Sequence, residues 1–423
     1  MWTVIRPVLL VVLSVALAVA CCSPAIAFVP DRVAQDDGTI LCRWHDRDRA
    51  LTQMRAAGFT HVRITVTHSP GSDSVGLAAC GEPGTLGDYD RAVAAVLAAG
   101  LTPQLTLAWS HATDADAIAL WMGQMAAHFS PEVQRFSVLN EPDLSIPASD
   151  LCDPETVTQL VTSGALHQTT YSWWSRRYLH HRVRLKQHGR VVKVWRYLYG
   201  WRLGTWGEPP YARVRVRRYR WVAHSRTVVT DETSDSQQPL TTIRQGCLRI
   251  QRARIYHRIF EVAAPVIRAA APGAQLLAGE TSPVPGVDLF IQAALPVDAD
   301  GWAHHCYQWD LTPTRSTGGF GIGDTAKVQA LVGMPLFYTE CGYPNADSPR
   351  NQTRWNGLFT HDNLPDAYVQ MWQFARDQGV REMAQFQWCS NQTDGWDTAF
   401  MVGPGCDPGP EYQALAQLLN SWE

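Results

Sequence analysis

From Phe28 onward, short apolar runs alternate with longer stretches whose apolar residues recur every three to four positions. The first pattern marks buried strands and the second amphipathic helices. Strands are expected from Phe28 to Val33, His61 to Val66, Leu101 to Ala108, Val133 to Leu139, Gln275 to Ala278, Trp302 to Tyr307, Leu336 to Thr339 and Met383 to Trp388. Helices are expected between and after them: Arg47 to Ala57, Tyr89 to Ala99, Asp114 to His128, Arg249 to Ala271, Val287 to Leu295, Thr325 to Val332, Pro365 to Gln378 and Glu411 to Ser421. Several ends carry their own punctuation. Asp88 precedes one helix as a cap, and Gly58, Gly100 and the pair Pro272-Gly273 close others. Eight strands, each followed by a helix, predict an α/β fold, a parallel (β/α)8 TIM barrel. The alternative is an open doubly wound sheet. It would want a glycine-rich phosphate loop after an early strand, and none is present.

The alternation breaks between Thr170 and Gly246. Arg213-Val214-Arg215-Val216-Arg217 alternates strictly, as a half-buried strand does. Val191 to Tyr199 is similar, and Gln187-His188-Gly189 has the composition of a turn. A small antiparallel β subdomain inserted after strand four is expected, so residues 28–169 and 247–423 would form the barrel and 170–246 the insertion. Charge sharpens the boundary. Residues 171–230 hold fifteen Lys or Arg and one acidic residue, Glu208, leaving 21 basic and 38 acidic residues elsewhere. Trp173, Trp174, Trp195, Trp201, Trp206 and Trp221 lie in the same stretch. It could be a solvated meander packed on an acidic barrel, or a surface for an anionic polysaccharide or cell-wall polymer. Interleaved basic and aromatic residues also suit nucleic acid, but the signs of export below argue against a nucleic-acid partner.

Composition excludes disorder: 46% of the 423 residues are hydrophobic and 18% charged. The chain opens with Arg6, an apolar run from Pro7 to Ala20 and a small-x-small site at Ala25-Ile26-Ala27. Residues 1–27 therefore read as a secretion signal, too short in its apolar part to span a bilayer. No later segment is long enough either, so no transmembrane span is expected in the mature chain, which is placed as secreted or extracytoplasmic. Cys21, after Ala18-Val19-Ala20, offers the competing reading of a lipid anchor. Eight cysteines remain after residue 27, and an even count in an exported protein favours disulfides. Position suggests Cys42 with Cys80, Cys152 with Cys247 and Cys389 with Cys406, while Cys306 and Cys341 are expected to stay reduced. No Cys-x-x-Cys spacing points to zinc.

Two strands end in the same way. Phe136-Ser137-Val138-Leu139 delivers Asn140-Glu141-Pro142, and Pro335-Leu336-Phe337-Tyr338-Thr339 delivers Glu340-Cys341-Gly342. By count these are strands four and seven, on opposite sides of a barrel mouth, and barrel enzymes carry their sites at that C-terminal face. Two carboxylates flanking one bond suit glycoside cleavage. One group protonates the leaving oxygen, and the other attacks the anomeric carbon or activates water. The 17 tryptophans suit either a sugar cleft or a Trp-rich core.

These residues resemble glycoside hydrolase clan A. The match is Asn140-Glu141-Pro142 after strand four and Thr339-Glu340-x-Gly342 after strand seven. Family 5-like members of that clan also share Arg63 in strand two, His305-Cys306-Tyr307 in strand six and Trp388 at the end of strand eight. The resemblance covers the barrel and not the basic insertion. At the end of strand three the run Leu107-Ala108-Trp109-Ser110-His111 departs from the His that many members carry there. The resemblance implies a retaining β-glycosidase acting on a poly- or oligosaccharide, with no cofactor and no metal. Glu141 would be the general acid/base, its pKa raised by the other carboxylate, and Glu340 the nucleophile. Asn140 would bind the sugar 2-hydroxyl. Arg63 and Tyr307 would hold Glu340 ionised and aimed. His305 would orient the acid/base region, and Trp388 would floor the subsite of the attacked sugar. Trp109 and Trp309, near strand ends, could line the cleft or pack in the core. Structural readings compete with each role: a glutamate can cap a helix, Arg63 can pair with any core acid, and His304 and His305 can be packed histidines. A metal site from His111, His304 and His305 lacks a ligand spacing. The rival function is a non-catalytic glycan- or cell-surface-polymer-binding barrel that works through its basic insertion.

Overall fold

The computed structural model describes residues 28–423 except 44, 69–74, 78–81, 111–112, 149–166, 179, 188–189, 198, 204–212, 218, 231–242, 317–319, 390–397, 402–404 and 423. The signal segment, Cys21 and His111 therefore lie outside the described residues, as does the proposed turn at 188–189. The chain divides into two units, residues 1–156 with 233–423, and residues 157–232.

The larger unit is a closed parallel barrel. Its strands are β1 (Asp31–Gln35), β2 (His61–His68), β3 (Thr102–Trp109), β4 (Arg135–Val138), β5 (Gln275–Thr281), β6 (Gly301–His305), β7 (Leu336–Cys341) and β8 (Glu382–Phe386). Each pairs in parallel with its sequence neighbours, and β1 pairs with both β2 and β8, which closes the ring. A short hairpin, Val75–Leu77 with Glu82–Gly84, extends β2 in antiparallel fashion. The expected (β/α)8 barrel is the fold. Its first strand begins at Asp31 rather than Phe28, because pairing with β8 starts at Asp31↔Glu382.

Helices sit between the strands with caps that the sequence supplies. Asp46 accepts the N–H groups of Asp48 and Arg49, and Asp114 accepts that of Ala117. Asp88 is the third helical residue of Leu86–Ala98, not its cap. Its carboxylate accepts the Thr85 N–H at 2.8 Å, so that helix starts three residues earlier than expected. The long helix Ile243–Ala270 begins before the expected Arg249 and carries Pro265 within it. It lies against Ala115–Phe129 so closely that a Cβ on Gly123 would meet Val266 Cγ1 at 2.4 Å. A side chain at 123 would displace the Val266 methyl.

In the smaller unit, three antiparallel ladders join His167–Tyr178 to Tyr219–Thr230, His180–Gln187 to Arg190–Tyr197, and Tyr199–Leu203 to Arg213–Arg217.

Two disulfides lie in the described barrel. Cys389–Cys406 matches the expected pair, with Cα atoms 5.2 Å apart. Cys306–Cys341 corrects the expectation that both stay reduced, and the parallel register explains it. His305 is the partner of Glu340 on the neighbouring strand, so the next residue of each chain falls alongside, with Cα atoms 4.7 Å apart. Cys42 and Cys247 are also disulfide-bonded; their expected partners, Cys80 and Cys152, lie outside the described residues.

Candidate functional site

The barrel mouth is built from irregular backbone. The β5–β6, β6–β7 and β7–β8 ladders each carry an extra residue near their C-terminal ends, at Gly279/Thr281, His304/His305 and Tyr338/Cys341. Such bulges re-aim side chains, and here they fall beside Glu280, His305 and Glu340. Leu139, Glu141 and Glu280 have φ of 64°, 45° and 48°, a region non-glycine residues seldom occupy. A backbone held there needs support from its surroundings.

Glu141 has that support. It caps the short helix Pro142–Ser145, and its N–H donates to the Glu280 carbonyl at 2.9 Å. Buried Asp143 pins the same turn. It accepts the Ser282 N–H at 3.0 Å and pairs with Arg249 at 3.1 Å. Burial raises the Asp143 pKa against the pull of Arg249. The Glu141 side chain reaches inward, 30% exposed, with Oε1 3.1 Å from His305 Nδ1.

Glu340 is held from both oxygens. Oε1 accepts Arg63 Nη1 at 2.8 Å and Oε2 accepts the Tyr307 hydroxyl at 2.6 Å. Arg63, 1% exposed, spends its whole guanidinium here. Nε donates to Thr106 Oγ1 at 2.8 Å, Nη1 also donates to Gln35, and Nη2 donates to Asn140 Oδ1 at 2.9 Å and Glu280 Oε2 at 3.0 Å. Burial works against its charge, but Glu280 and Glu340 more than compensate and raise its pKa.

Glu280 is the residue that sequence reading missed. It is fully buried in the barrel interior, at the bulge of β5. Oε2 accepts the Thr339 hydroxyl at 2.6 Å and Arg63 Nη2, and lies 3.2 Å from His305 Nε2. Oε1 accepts Thr106 Oγ1 at 3.1 Å and the Ser137 hydroxyl. Burial opposes its charge, yet Arg63 and the other donors outweigh it and hold the carboxyl down at about 2. Gly279, at φ 102°, makes the bulge possible, since a Cβ there would meet the Ala303 carbonyl at 2.5 Å. The signal was present: Leu276-Leu277-Ala278-Gly279-Glu280 is a third apolar run ending in a glutamate.

His305 joins the three carboxylates. Beyond Glu141 and Glu280, its Nδ1 is 3.4 Å from Glu340 Oε2. Burial would neutralise the ring, but Glu340, Glu141 and Glu280 together raise its pKa to about 10. His304 is a packed histidine, with Nδ1 2.7 Å from Thr281 Oγ1 and Nε2 2.8 Å from the Phe320 carbonyl. Ligating atoms of Glu141, His305 and Glu340 lie within 4.8 Å of one another, near enough for a cation. Both His305 nitrogens, however, already face carboxylates.

A cleft of about 730 Å³ opens above these groups, lined by Asp37, Asn140, Glu141, Tyr307, Trp309 and Glu340 among others. Burial raises Asp37 to about 6. Tyr307, Trp309 and Trp355 stack in sequence at 6.1 and 5.6 Å between ring centroids, an aromatic row leading away from Glu340. One tryptophan is placed otherwise than expected. Trp388 is fully buried against Phe59, Phe400 and Tyr412, and β8 presents Phe386 to the cleft instead. Trp109 stacks on His68 at 3.8 Å and meets Trp121 edge-on, the packed one of its two readings, and is not among the residues lining the cleft.

Fold and site together define a (β/α)8 barrel with paired carboxylates at its mouth. No protein-family profile matches the sequence, and no curated protein is recognisably similar to it. Solved structures do match over most of the chain. They include a monomeric β-xylosidase from Caulobacter crescentus CB15, at 14% identity and a TM-score of 0.47, over 93% of this chain and 68% of that one. The catalytic core of xylanase A matches at 13% identity and a TM-score of 0.47, over 93% and 98% of the two chains. The hyperthermostable endo-1,4-β-D-mannanase from Thermotoga petrophila RKU-1 matches at 11% identity and a TM-score of 0.48, over 93% and 99%.

Proposed function

We propose that this chain is an exported retaining β-glycosidase that cleaves O-glycosidic bonds of an oligo- or polysaccharide. The observation that carries the reading is the carboxylate pair. Oxygens of Glu141 and Glu340 lie within 4.8 Å of each other at the floor of the cleft. Retaining enzymes hold the two groups about 5–5.5 Å apart, whereas inverting enzymes leave about 6.5–9.5 Å for water. The clan A motifs quoted above support the same assignment.

In the first step a Glu340 oxygen bonds to the anomeric carbon as the glycosidic C–O bond breaks, and Glu141 gives its proton to the leaving oxygen. In the second, Glu141 takes a proton from water, the water oxygen bonds to the anomeric carbon, and the ester to Glu340 breaks. Arg63 and Tyr307 hold Glu340 aimed, one at each carboxylate oxygen. Asn140, its oxygen turned to Arg63, offers its amide N–H groups to the sugar 2-hydroxyl. The rings of Tyr307 and Trp309, which line the cleft, suit the flat faces of sugar rings. Export accords with the disulfides. No helix among the described residues is long and apolar enough to cross a membrane. The basic stretch 171–230 favours, as a secondary role, attachment to an anionic polysaccharide or cell-wall polymer.

The test is a panel of aryl β-glycosides and β-glycans with the wild type and Glu340→Ala. Hydrolysis is expected to fall to background in the variant and to return with azide, giving an α-configured glycosyl azide. If no substrate is turned over, and binding to an anionic polymer survives Glu340→Ala, the chain is a binding barrel instead.

A further inference from the structure

The site holds more carboxylates than double displacement needs. Glu141 and Glu340 have roles; Glu280 touches neither the cleft nor the reacting atoms, yet it is the most heavily hydrogen-bonded acid among the described residues of the site. Five groups converge on its two oxygens, and one of them, Arg63, carries a permanent charge. That environment favours the carboxylate over the acid, and the depressed pKa agrees.

An ionised Glu280 dictates the state of one His305 nitrogen. Nε2, 3.2 Å away and buried, has to carry a proton, since a lone pair facing a carboxylate at that distance is repelled. Only Nδ1 is left free to vary, and it faces Glu141 Oε1 at 3.1 Å and Glu340 Oε2 at 3.4 Å. The charged and titratable groups around the ring are Arg63 from β2, Glu141 beyond β4, Glu280 from β5, Glu340 from β7, His304 from its own strand and Tyr307 just beyond it.

We propose that Glu280 is a positioning residue for the acid step: its buried carboxylate locks His305 as the Nε2–H form, so that Nδ1 and Glu141 hold one proton between them for the leaving group. The inference rests on the reading of Glu141 as the acid/base. When the glycosidic bond breaks, that proton goes to the leaving oxygen and the Nδ1–Glu141 pair is left one proton short. The water of the second step restores it. Glu280 also positions Glu141 directly, through the N–H that its carbonyl accepts.

The experiment compares wild type and Glu280→Gln on two glycosides of the same sugar, one with a dinitrophenyl leaving group and one with an alkyl leaving group. The first needs little protonation and the second depends on it. For the alkyl glycoside, kcat/KM is expected to fall about 10²-fold, the scale of general acid catalysis, with the dinitrophenyl glycoside little changed. The alkaline limb of the pH profile should move down by about one pH unit or more, because His305 without its anionic partner releases the shared proton sooner. Equal losses on both substrates with an unmoved limb would reduce Glu280 to a structural role and overturn the proposal. Should Glu280→Gln fail to fold, ¹⁵N-histidine NMR of the wild type, with His305→Gln for assignment, decides the same point. Nε2 is expected to stay protonated while Nδ1 alone titrates, and a titrating Nε2 overturns the proposal. The NMR result stands even if no glycoside is cleaved, so a failure here is distinguishable from a failure of the glycosidase reading.

Discussion

Two arginines, one at each end of the barrel, pair with buried glutamates and pull their pKa values down, yet the two glutamates end on opposite sides of the ordinary value. At the mouth, Arg63 meets Glu280, and at the base Arg135 meets Glu382; both glutamates are fully buried. Glu280 is held near 2, whereas burial pushes Glu382 up to about 7 despite Arg135 and Gln104. The difference lies in the number of donors and in the neighbouring charge, since Asp31 and Glu280 also push Glu382 up. Glu280 has five groups turned to it, including the Arg63 guanidinium. Glu382 has Gln104 Nε2 at 2.9 Å and Arg135, and Arg135 divides itself among Glu382, Asp31 at 2.6 Å and Gln275 at 2.6 Å. One arginine does not secure the charge of a buried carboxylate; a full ring of donors does. The base cluster ties strands β1, β3, β4, β5 and β8 together. The mouth cluster ties strands together as well, and keeps several charges within reach of a cleft.

The largest expected effects come from removing the arginines. Arg63→Met leaves Glu280 and Glu340 buried beside each other without their shared cation, which should cost about 3–5 kcal/mol of stability. It should also lower kcat/KM by about 10²–10³-fold in the protein that still folds, the scale of losing a preorganised electrostatic group. Arg135→Met should cost a similar stability, about 3 kcal/mol or more, with kcat/KM changed only a few-fold. Urea unfolding and steady-state kinetics on the same samples read both quantities. A folded Arg135→Met protein that has lost activity as Arg63→Met does would mean that the two ends are one cooperative network.

How far the sequence shows this depends on whether a signal is local. Glu141 and Glu340 were legible because each follows an apolar run that ends abruptly. The barrel was legible because eight such runs alternate with helical stretches. Glu280 obeys the same grammar, but the apolar run was read as ending at Ala278, and the bulge that turns Glu280 inward depends on pairing with a strand more than twenty residues away. Cys306–Cys341 fails for a related reason: register between β6 and β7 is a fact of pairing, which neither run encodes alone. The resemblance to family 5-like members places Trp388 in the cleft, at the end of strand eight. Strand alternation holds only to Phe386, where β8 stops, and beyond it the chain carries Trp388 into the core.

The last effect is the sharpest test of the role of donor number, because it reads the base glutamate through pH alone. The folded pKa of Glu382 lies above its unfolded value, so its contribution to stability is fully present below about pH 4.5 and is lost as pH rises through about 7. Glu382→Gln removes the titration. The variant should match or fall slightly below wild type at pH 4.5 and then gain on it as pH rises. The gain should be at most about 1.4 kcal/mol for each pH unit that separates the folded from the unfolded pKa. Thermal midpoints of the two proteins from pH 4.5 to 8 supply the difference curve. Glu280→Gln should give the opposite slope. There the folded pKa is depressed, so wild type holds its advantage above about pH 4.5 and loses it as pH falls toward 2. A flat curve for Glu382→Gln would mean that Glu382 is as ionised in the folded protein as in the unfolded one. Arg135 and Gln104 would then suffice for a buried charge, and the number of donors would no longer explain why the two glutamates differ.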